Sequence, residues 1–320
     1  MSHPPDTLAA MVASRTELAD GVVQLELTSA DGRPLPAFEP GAHIDVCLAD
    51  GLIRQYSLAN FQPAPDSYTI AVGLAEPSRG GSKQIHDAVS AGNLLRISRP
   101  RNSFPIDPDA TGYVFVAGGI GITPIISMAR WCEMNRKPWR LLYAARRRQR
   151  AAYADELAAL GGDRVRLHFD DEAGKVADLA TWLGTLRTGE HVYCCGPEPM
   201  MKAVETATAT HPAACVHFER FSAPEPPTAA AGHSFTLKLR LSARELTVAA
   251  GTSILDTLEQ AGIDHPFGCR EGLCRSCEAE VCEGIPDHRD YVLSDAEKVS
   301  NQTIMVCVSR AKSDCLELNL

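Results

Sequence analysis

The run Cys269-Arg270-Glu271-Gly272-Leu273-Cys274-Arg275-Ser276-Cys277 constrains this chain more than any other stretch. Four residues separate its first two cysteines and two separate the second pair. A further cysteine, Cys307, follows with 29 residues between. Thiolates delivered from one tight loop suit a small iron–sulfur cluster, whose sulfurs also take backbone N–H groups. Gly268, Gly272 and Ser276 let the chain wrap that closely. The last thiolate is expected from a separate strand, the apolar run Ile304–Val308. Structural zinc sites carry paired C-x2-C units instead, and this spacing differs from theirs.

The flanks agree. Phe235–Leu241 and Glu245–Val248 are predicted strands. Ser253–Ala261 is a predicted helix with Ile254, Leu255 and Leu258 on its apolar side, closed by Gly262. With that order and the C-x4-C-x2-C…C spacing, residues 234–320 resemble a plant-type [2Fe–2S] ferredoxin, a β-grasp fold. Cys269, Cys274, Cys277 and Cys307 are its expected metal ligands.

A chain of 320 residues has room for two or three domains. The net charge is −9 with lysine and arginine scattered, so no nucleic-acid partner is expected. The basic run Arg146-Arg147-Arg148-Gln149-Arg150 reads as a solvated loop. No apolar stretch reaches about 18 residues, and Met1–Pro5 is polar rather than a secretory leader. No membrane association and a cytoplasmic location are therefore expected. Eleven cysteines, an odd number, form no disulfide framework and fit a reducing compartment. Cys47, Cys132, Cys215, Cys282 and Cys315 read as small core or surface residues.

Residues 7–107 read as short strands separated by turns, the pattern of a small antiparallel barrel. The predicted strands are Val22–Thr28, His43–Leu48, Tyr56–Ala59, Tyr68–Leu74 and Leu94–Ser98, with one helix at Lys83–Val89. Inside lies Arg54-Gln55-Tyr56-Ser57. In a strand, Arg54 and Tyr56 share one side and Gln55 and Ser57 the other. Further on, Arg79-Gly80-Gly81-Ser82 runs into the helix. Glycines there bring backbone N–H groups to a phosphate at a helix N-terminus, and Ser82 is an available N-cap.

From residue 111 the pattern becomes alternating strands and helices, a parallel α/β sheet. Strands are predicted at Tyr113–Ala117, Leu141–Ala145, Val165–Phe169, His191–Cys195 and Val216–Phe218. Helices are predicted at Ile125–Glu133, Tyr153–Leu160, Asp178–Leu183 and Pro199–Ala207. The first strand enters Gly118-Gly119-Ile120-Gly121-Ile122-Thr123-Pro124, a turn suited to a dinucleotide pyrophosphate, with Thr123 as cap and Pro124 at the first helical position. The fourth strand ends in Cys194-Cys195-Gly196-Pro197, where ligands of parallel sheets sit. Cys194 is expected on the packing face. After the third strand, Asp170 is placed to accept from an adenosine ribose, whereas Arg146 after the neighbouring strand would suit a 2′-phosphate. Phe218-Glu219-Arg220-Phe221 closes this part. A Pro- and Ala-rich linker, 223–233, follows.

R-x-Y-S, R-G-G-S, G-G-x-G-x-T-P, C-G-P, F-E-x-F and the cysteine spacing occur here in one order. Nearly the whole chain thereby resembles the phthalate dioxygenase reductase family. The resemblance implies a multidomain α/β plus β protein: an FMN-binding barrel (7–107), an NAD-binding domain (111–222) and a ferredoxin domain (234–320). It implies that Arg54, Gly81 and Ser82 hold the flavin phosphate, Tyr56 packs on the ring, and Ser57 lies near its N5. Gly119, Gly121, Thr123, Pro124, Asp170, Cys195, Gly196 and Pro197 would bind NADH, and Phe221 would cover the flavin. Ser57 and Cys195 are the implied catalytic residues. The implied activity passes electrons from NADH through FMN and a [2Fe–2S] cluster to a terminal Rieske-type oxygenase of an aromatic-acid dioxygenase or O-demethylase system. Alternatives are a reductase for another acceptor, such as a quaternary-amine monooxygenase, or a redox sensor. The glycine-rich turn argues against a sensor, which needs no hydride donor. His288, in the sequence Asp287-His288-Arg289-Asp290, reads as structural.

Overall fold

The structure, a computed structural model, describes residues 7–75, 80–212, 215–223 and 232–320, and all that follows concerns these. Arg79 of the glycine-rich turn and 224–231 of the expected linker lie outside them. The chain divides into two compact units, 6–220 and 221–320. Among the described residues no helix is long and apolar enough to cross a membrane.

The larger unit begins with an antiparallel barrel of β1 (Thr7–Ala19), β2 (Val22–Ser29), β3 (His43–Cys47), β4 (Ile53–Ser57), β5 (Ser67–Gly73) and β6 (Leu94–Ser98), in the order β4-β3-β6-β1-β2-β5. A bridge from Leu58 to Ile70 brings the edges together. Helix α1 (Gly81–Ala88) interrupts the strands. Leu25, Leu27, Ile44, Val46, Leu58, Ile70 and Ile97 fill the interior, all fully buried. The strand β1 was not among those expected. Its sequence, TLAAMVASRTELA, is rich in helix formers, and bulges at Val12/Ser14 and Glu17/Ala19 break the two-residue alternation. Pairing with both β2 and β6 overrides that local preference.

The same unit continues with a wholly parallel sheet: β7 (Gly112–Gly118), β8 (Trp139–Ala145), β9 (Val165–Phe169), β10 (Glu190–Cys195) and β11 (Val216–Glu219), ordered β11-β10-β7-β8-β9. Its helices are α2 (Ile122–Met134), α3 (Ala154–Gly161), α4 (Asp170–Ala173), α5 (Leu179–Leu183) and α6 (Glu198–Ala207). Every residue of β7 is buried, as a central parallel strand requires. Tyr113, Phe115 and Ala117 face one core with α2 and α3, while Val114 and Val116 face another. The first core includes Val22, Ala59 and Ala71 of the barrel, so barrel and sheet share it. Helix α2 starts three residues earlier than expected. A 3-10 turn at Gly119–Gly121 feeds directly into it, so Gly121 takes the cap position and Thr123 and Pro124 fall inside the first turn. Proline is tolerated there because first-turn N–H groups have no helical partner.

The smaller unit holds β12 (Phe235–Leu239), β13 (Arg244–Val248), α7 (Ile254–Gln260), β14 (Glu278–Glu283), β15 (Pro286–Asp287), α8 (Asp295–Ser300), β16 (Thr303–Met305), β17 (Arg310–Ala311) and β18 (Cys315–Leu318). The main sheet is ordered β13-β12-β18-β14-β16, with β12 and β18 parallel. This is the β-grasp arrangement. Ser253 caps α7 by accepting from the Asp256 N–H at 3.0 Å. Strand β16 stops at Met305, so Cys307 lies in a turn rather than in the strand expected for it. The turn frees the backbone to aim the sulfur, which a pleated strand would fix to one face. His288 is a structural residue: its Nε2 meets Asn301 Oδ1 at 3.2 Å and its Nδ1 lies 3.8 Å from Asp290.

Candidate functional site

The cysteine loop arranges its sulfurs by pairs. Cys269 and Cys274 perturb each other as close neighbours, and so do Cys277 and Cys307. The Cys269 thiol pulls Cys274 down to about 6, and the Cys277 thiol lowers Cys307. Backbone N–H groups of Glu271 and Leu273 point at Cys269 Sγ (3.3 and 3.4 Å), and that of Cys269 points at Cys274 Sγ (3.4 Å). All eleven cysteines are free thiols.

The loop needs left-handed backbone at Arg270 (φ 58°), Gly272 (φ 70°) and Arg275 (φ 57°). For the arginines this costs on the order of 1 kcal/mol each, and both are anchored. Arg270 pairs with Asp256 (3.0 Å) and Glu259 around α7 and lies 4.2 Å above the Phe267 ring. Arg275 pairs with Glu278 (3.1 Å) and Glu297 (2.5 Å). At Gly272 a Cβ would meet Val308 at 2.7 Å, so no side chain fits. Among the described residues, no three Cys, His, Asp or Glu donors converge as a single metal ion demands. Two sulfurs here and two there instead suit a dinuclear cluster. The donor set, four thiols in two pairs, therefore fits a [2Fe–2S] cluster.

In the larger unit, β4 carries the R-x-Y-S sequence, and Ser57 is its last residue. Arg54 runs past the N-terminus of α1. A Cβ on Gly81 would lie 2.4 Å from Arg54 Cγ, so the glycine makes room for the arginine. Gly80, not Ser82, is the cap residue of α1, with φ 92°. Ser82 Oγ instead accepts from the Ala75 N–H at 3.2 Å. A guanidinium beside a glycine-rich helix start is a fitting cradle for a phosphate. Tyr56 packs on the barrel core, and burial pushes its phenol up to about 12.

Behind β4 lies a buried polar network that the sequence reading missed. Arg101 donates to both oxygens of Asp45 at 2.7 Å, and Gln55 Nε2 donates to Asp45 Oδ1 at 3.0 Å. His43 stands opposite Ser57, and burial lowers its pKa to about 4, so it is neutral. The network holds β3 and β4 in register beneath Tyr56 and Ser57. Its members lie far apart in sequence, and Gln55 is the only one within the motif.

The glycines of the turn after β7 divide by role. A Cβ on Gly118 would meet Pro197 at 2.6 Å, and one on Gly121 would meet the Cys195 carbonyl oxygen at 2.3 Å. Both are packing glycines, locking this turn against Cys195-Gly196-Pro197. Gly119 has φ 54° and nothing within 4 Å of its missing side chain. It is the bare backbone that a pyrophosphate can approach. Thr123 Oγ1 donates to the Ile120 carbonyl at 3.1 Å, bracing the turn.

Cys194 and Cys195 point to opposite faces. Cys194 packs with Met201 and Val204, as expected, and Cys195 belongs to the core shared with the barrel. Burial raises the Cys195 thiol well above its ordinary range, so it stays neutral. Directly opposite it on β11 is Glu219. Glu219 accepts a hydrogen bond from Ser57 Oγ at 3.3 Å. Burial pushes its carboxyl up to about 8, with the Ser57 bond pulling the other way. The ends of β4, β10 and β11 and the turn after β7 thus meet in one place. Glu219 stood inside the F-E-x-F sequence but was given no role; a buried acid inside a short motif was the available signal. Asp170 lies away from this junction, at the end of β9, 3.3 Å from His168 Nε2. Phe221 is counted with the smaller unit and is 42% exposed.

Comparison with known proteins agrees with this architecture. The family described as "2Fe-2S iron-sulfur cluster binding domain" matches residues 238–312. That described as "Dimethylamine monooxygenase subunit DmmA-like, N-terminal domain" matches 96–213. The chain is 43% identical to the toluene-4-sulfonate monooxygenase system reductase subunit of Comamonas testosteroni, over 99% of this chain and 98% of that one. It is 40% identical to the phthalate dioxygenase reductase of Burkholderia cepacia, over 97% and 96%. Among solved structures, a phthalate dioxygenase reductase matches with a TM-score of 0.73 and 39% identity over 98% of both chains. An intact type IV self-sufficient cytochrome P450 monooxygenase matches with a TM-score of 0.92 and 38% identity; this chain spans 42% of its length.

Proposed function

The chain belongs to the phthalate dioxygenase reductase family, and on that premise we propose that it carries electrons from NADH through FMN and a [2Fe–2S] cluster to a terminal Rieske-type oxygenase acting on aromatic acids. The observation that carries this reading is the Ser57–Glu219 contact beside Cys195. It brings the end of the strand suited to a flavin against β11, whose Glu219 pairs with Cys195 at the end of the strand suited to a nicotinamide. When bound, the flavin accepts an electron pair as hydride and releases electrons singly, and the cluster carries one at a time.

The protein's part is to hold and orient. In this reading the FMN domain is 7–107, the NAD domain 111–222, the linker 223–233 and the ferredoxin domain 234–320. Arg54 and the start of α1, with Gly81 and Ser82, hold the flavin phosphate. Tyr56 presents a ring face, and Ser57 Oγ offers a hydrogen bond at the reacting edge. Glu219, with its pKa near 8, keeps its proton at neutral pH and fixes the Ser57 hydroxyl. Cys195, neutral and buried, positions the nicotinamide and does not act as a nucleophile. Gly119 admits the pyrophosphate; Gly121, Thr123, Pro124, Gly196 and Pro197 shape that turn. Asp170 takes the ribose, and Phe221 covers the flavin. Cys269, Cys274, Cys277 and Cys307 would hold the cluster.

Anaerobic addition of NADH to the purified protein tests the reading. Flavin bleaching with a reduced-cluster EPR signal supports it, as does FMN on acid release. FAD on release, or no spectral change, refutes it. The match of 96–213 to a dimethylamine monooxygenase subunit favours a second reading, service to an amine monooxygenase. Reduction of the oxygenase encoded beside this gene separates the two.

A further inference from the structure

The ends of β8 and β9 carry opposite charges side by side. Arg146, Arg147 and Arg148 follow β8; Asp170, Asp171 and Glu172 follow β9; Ala145 and Phe169 are the last paired residues. The Asp171 N–H donates to the Arg146 carbonyl at 3.2 Å, so the two segments run together. Arg148 is held on two sides. Its Nε and Nη2 donate to the two oxygens of Glu172 at 2.8 and 3.0 Å. Its guanidinium carbon lies 4.2 Å from the Phe169 ring centroid.

A dinucleotide bound to a parallel sheet crosses the strand ends with its pyrophosphate on the turn after the first strand. Here that turn contains Gly119, and Cys195 lies on the β10 side of it. The ends of β8 and β9 are left for the adenosine half. An arginine at this place accommodates a 2′-phosphate, whereas an acid accepts from a 2′-hydroxyl. This chain has both and joins them to each other.

We propose that Glu172 is a specificity-determining residue: it holds Arg148 against Phe169 and away from a 2′-phosphate, so that the chain takes NADH in preference to NADPH. The inference rests on the NADH reading above. Asp170 and Asp171 add negative charge that a 2′-phosphate must approach and an uncharged 2′-hydroxyl need not. The pair is half exposed, at 55% and 51%, so its effect is several-fold rather than many orders.

The test uses the holoprotein, Glu172→Gln, and the double variant Glu172→Gln/Arg148→Met. Stopped-flow flavin reduction gives kcat/KM for NADPH relative to NADH. Calorimetry gives the affinity for 2′,5′-ADP relative to 5′-AMP. In Glu172→Gln both ratios rise about fivefold, and both gains vanish in the double variant, which lacks the released guanidinium. An unchanged NADPH ratio in Glu172→Gln overturns the inference while leaving NADH-driven wild-type reduction standing. A gain that survives in the double variant also overturns it, because charge removal alone would then be the cause. A wild type reduced by neither nucleotide overturns the NADH reading and this inference together.

Discussion

Three of the four cluster cysteines come from nine consecutive residues, whereas the Ser57–Glu219 contact joins side chains 162 positions apart. The first arrangement is made by local backbone: left-handed turns at Arg270, Gly272 and Arg275, with N–H groups folded onto sulfur. The second exists only because barrel and parallel sheet pack as one unit. Tyr153 Oη donates to Gln24 Oε1 at 2.8 Å, Arg130 Nη1 donates to the Ala59 carbonyl at 2.6 Å, and Gly41 leaves room for Met128 of α2, whose Cε lies 2.9 Å from where the glycine's Cβ would lie. A local site fails ligand by ligand. An assembled one fails whenever either partner shifts, because a displacement of about 1 Å can cost two orders of magnitude in rate.

The comparison breaks most sharply at Cys274. Cys274→Ser should abolish the reduced-cluster EPR signal and electron delivery to an oxygenase, while NADH still bleaches the flavin at the wild-type rate. A retained cluster signal would show that the pairing of sulfurs does not report ligation. Next in size is Arg54→Ala, which removes a charge-assisted contact. FMN affinity should fall at least tenfold, about 1.4 kcal/mol, measured by equilibrium dialysis; unchanged affinity places the phosphate elsewhere. Cys195→Ala should slow flavin reduction about tenfold with normal flavin content. A wild-type stopped-flow rate would make Cys195 a packing residue only.

Glu219 sharpens the contrast through pH. Its folded pKa of about 8 lies above the ordinary 4.5, so the folded state holds this proton more tightly than the unfolded. Its contribution is fully present below about pH 4.5 and is lost as pH rises towards 8. The urea midpoint of the wild type should therefore fall between pH 5 and 8 relative to Glu219→Gln. Parallel curves would mean that the carboxyl is already ionised. The smallest effect concerns the acceptor. Residues 235–320 hold 14 acidic and nine basic side chains, a net charge of −5. Added salt should slow transfer to the oxygenase a few-fold by screening steering over about 8 Å. Flavin reduction by NADH should change less, and equal responses would remove the steering argument.

Much of the fold was legible because periodicity and turn residues act locally. The parallel strands, with their short apolar runs between helices, lie within two residues of their expected starts. The strand β1 was not legible, since its bulges erase alternation and only its two neighbours make it a strand. The caps also moved. Ser82 and Thr123 are good capping residues by type, yet glycines precede them at Gly80 and Gly121, because the chain arrives there from a tight turn.

The sequence by itself determined the chemistry on offer: four thiols at cluster spacing, an arginine beside glycines, a bare turn after a buried strand. These are matters of residue type and short spacing, which neighbouring covalent geometry enforces. Tertiary structure decided which groups confront each other. It sorted the glycines at 118, 119 and 121 into two that pack and one that opens. It set Glu219 against Ser57 and raised its pKa, and it joined Arg148 to Glu172. Burial, desolvation and long-range contact depend on what lies opposite in space, and no stretch of chain carries that information alone.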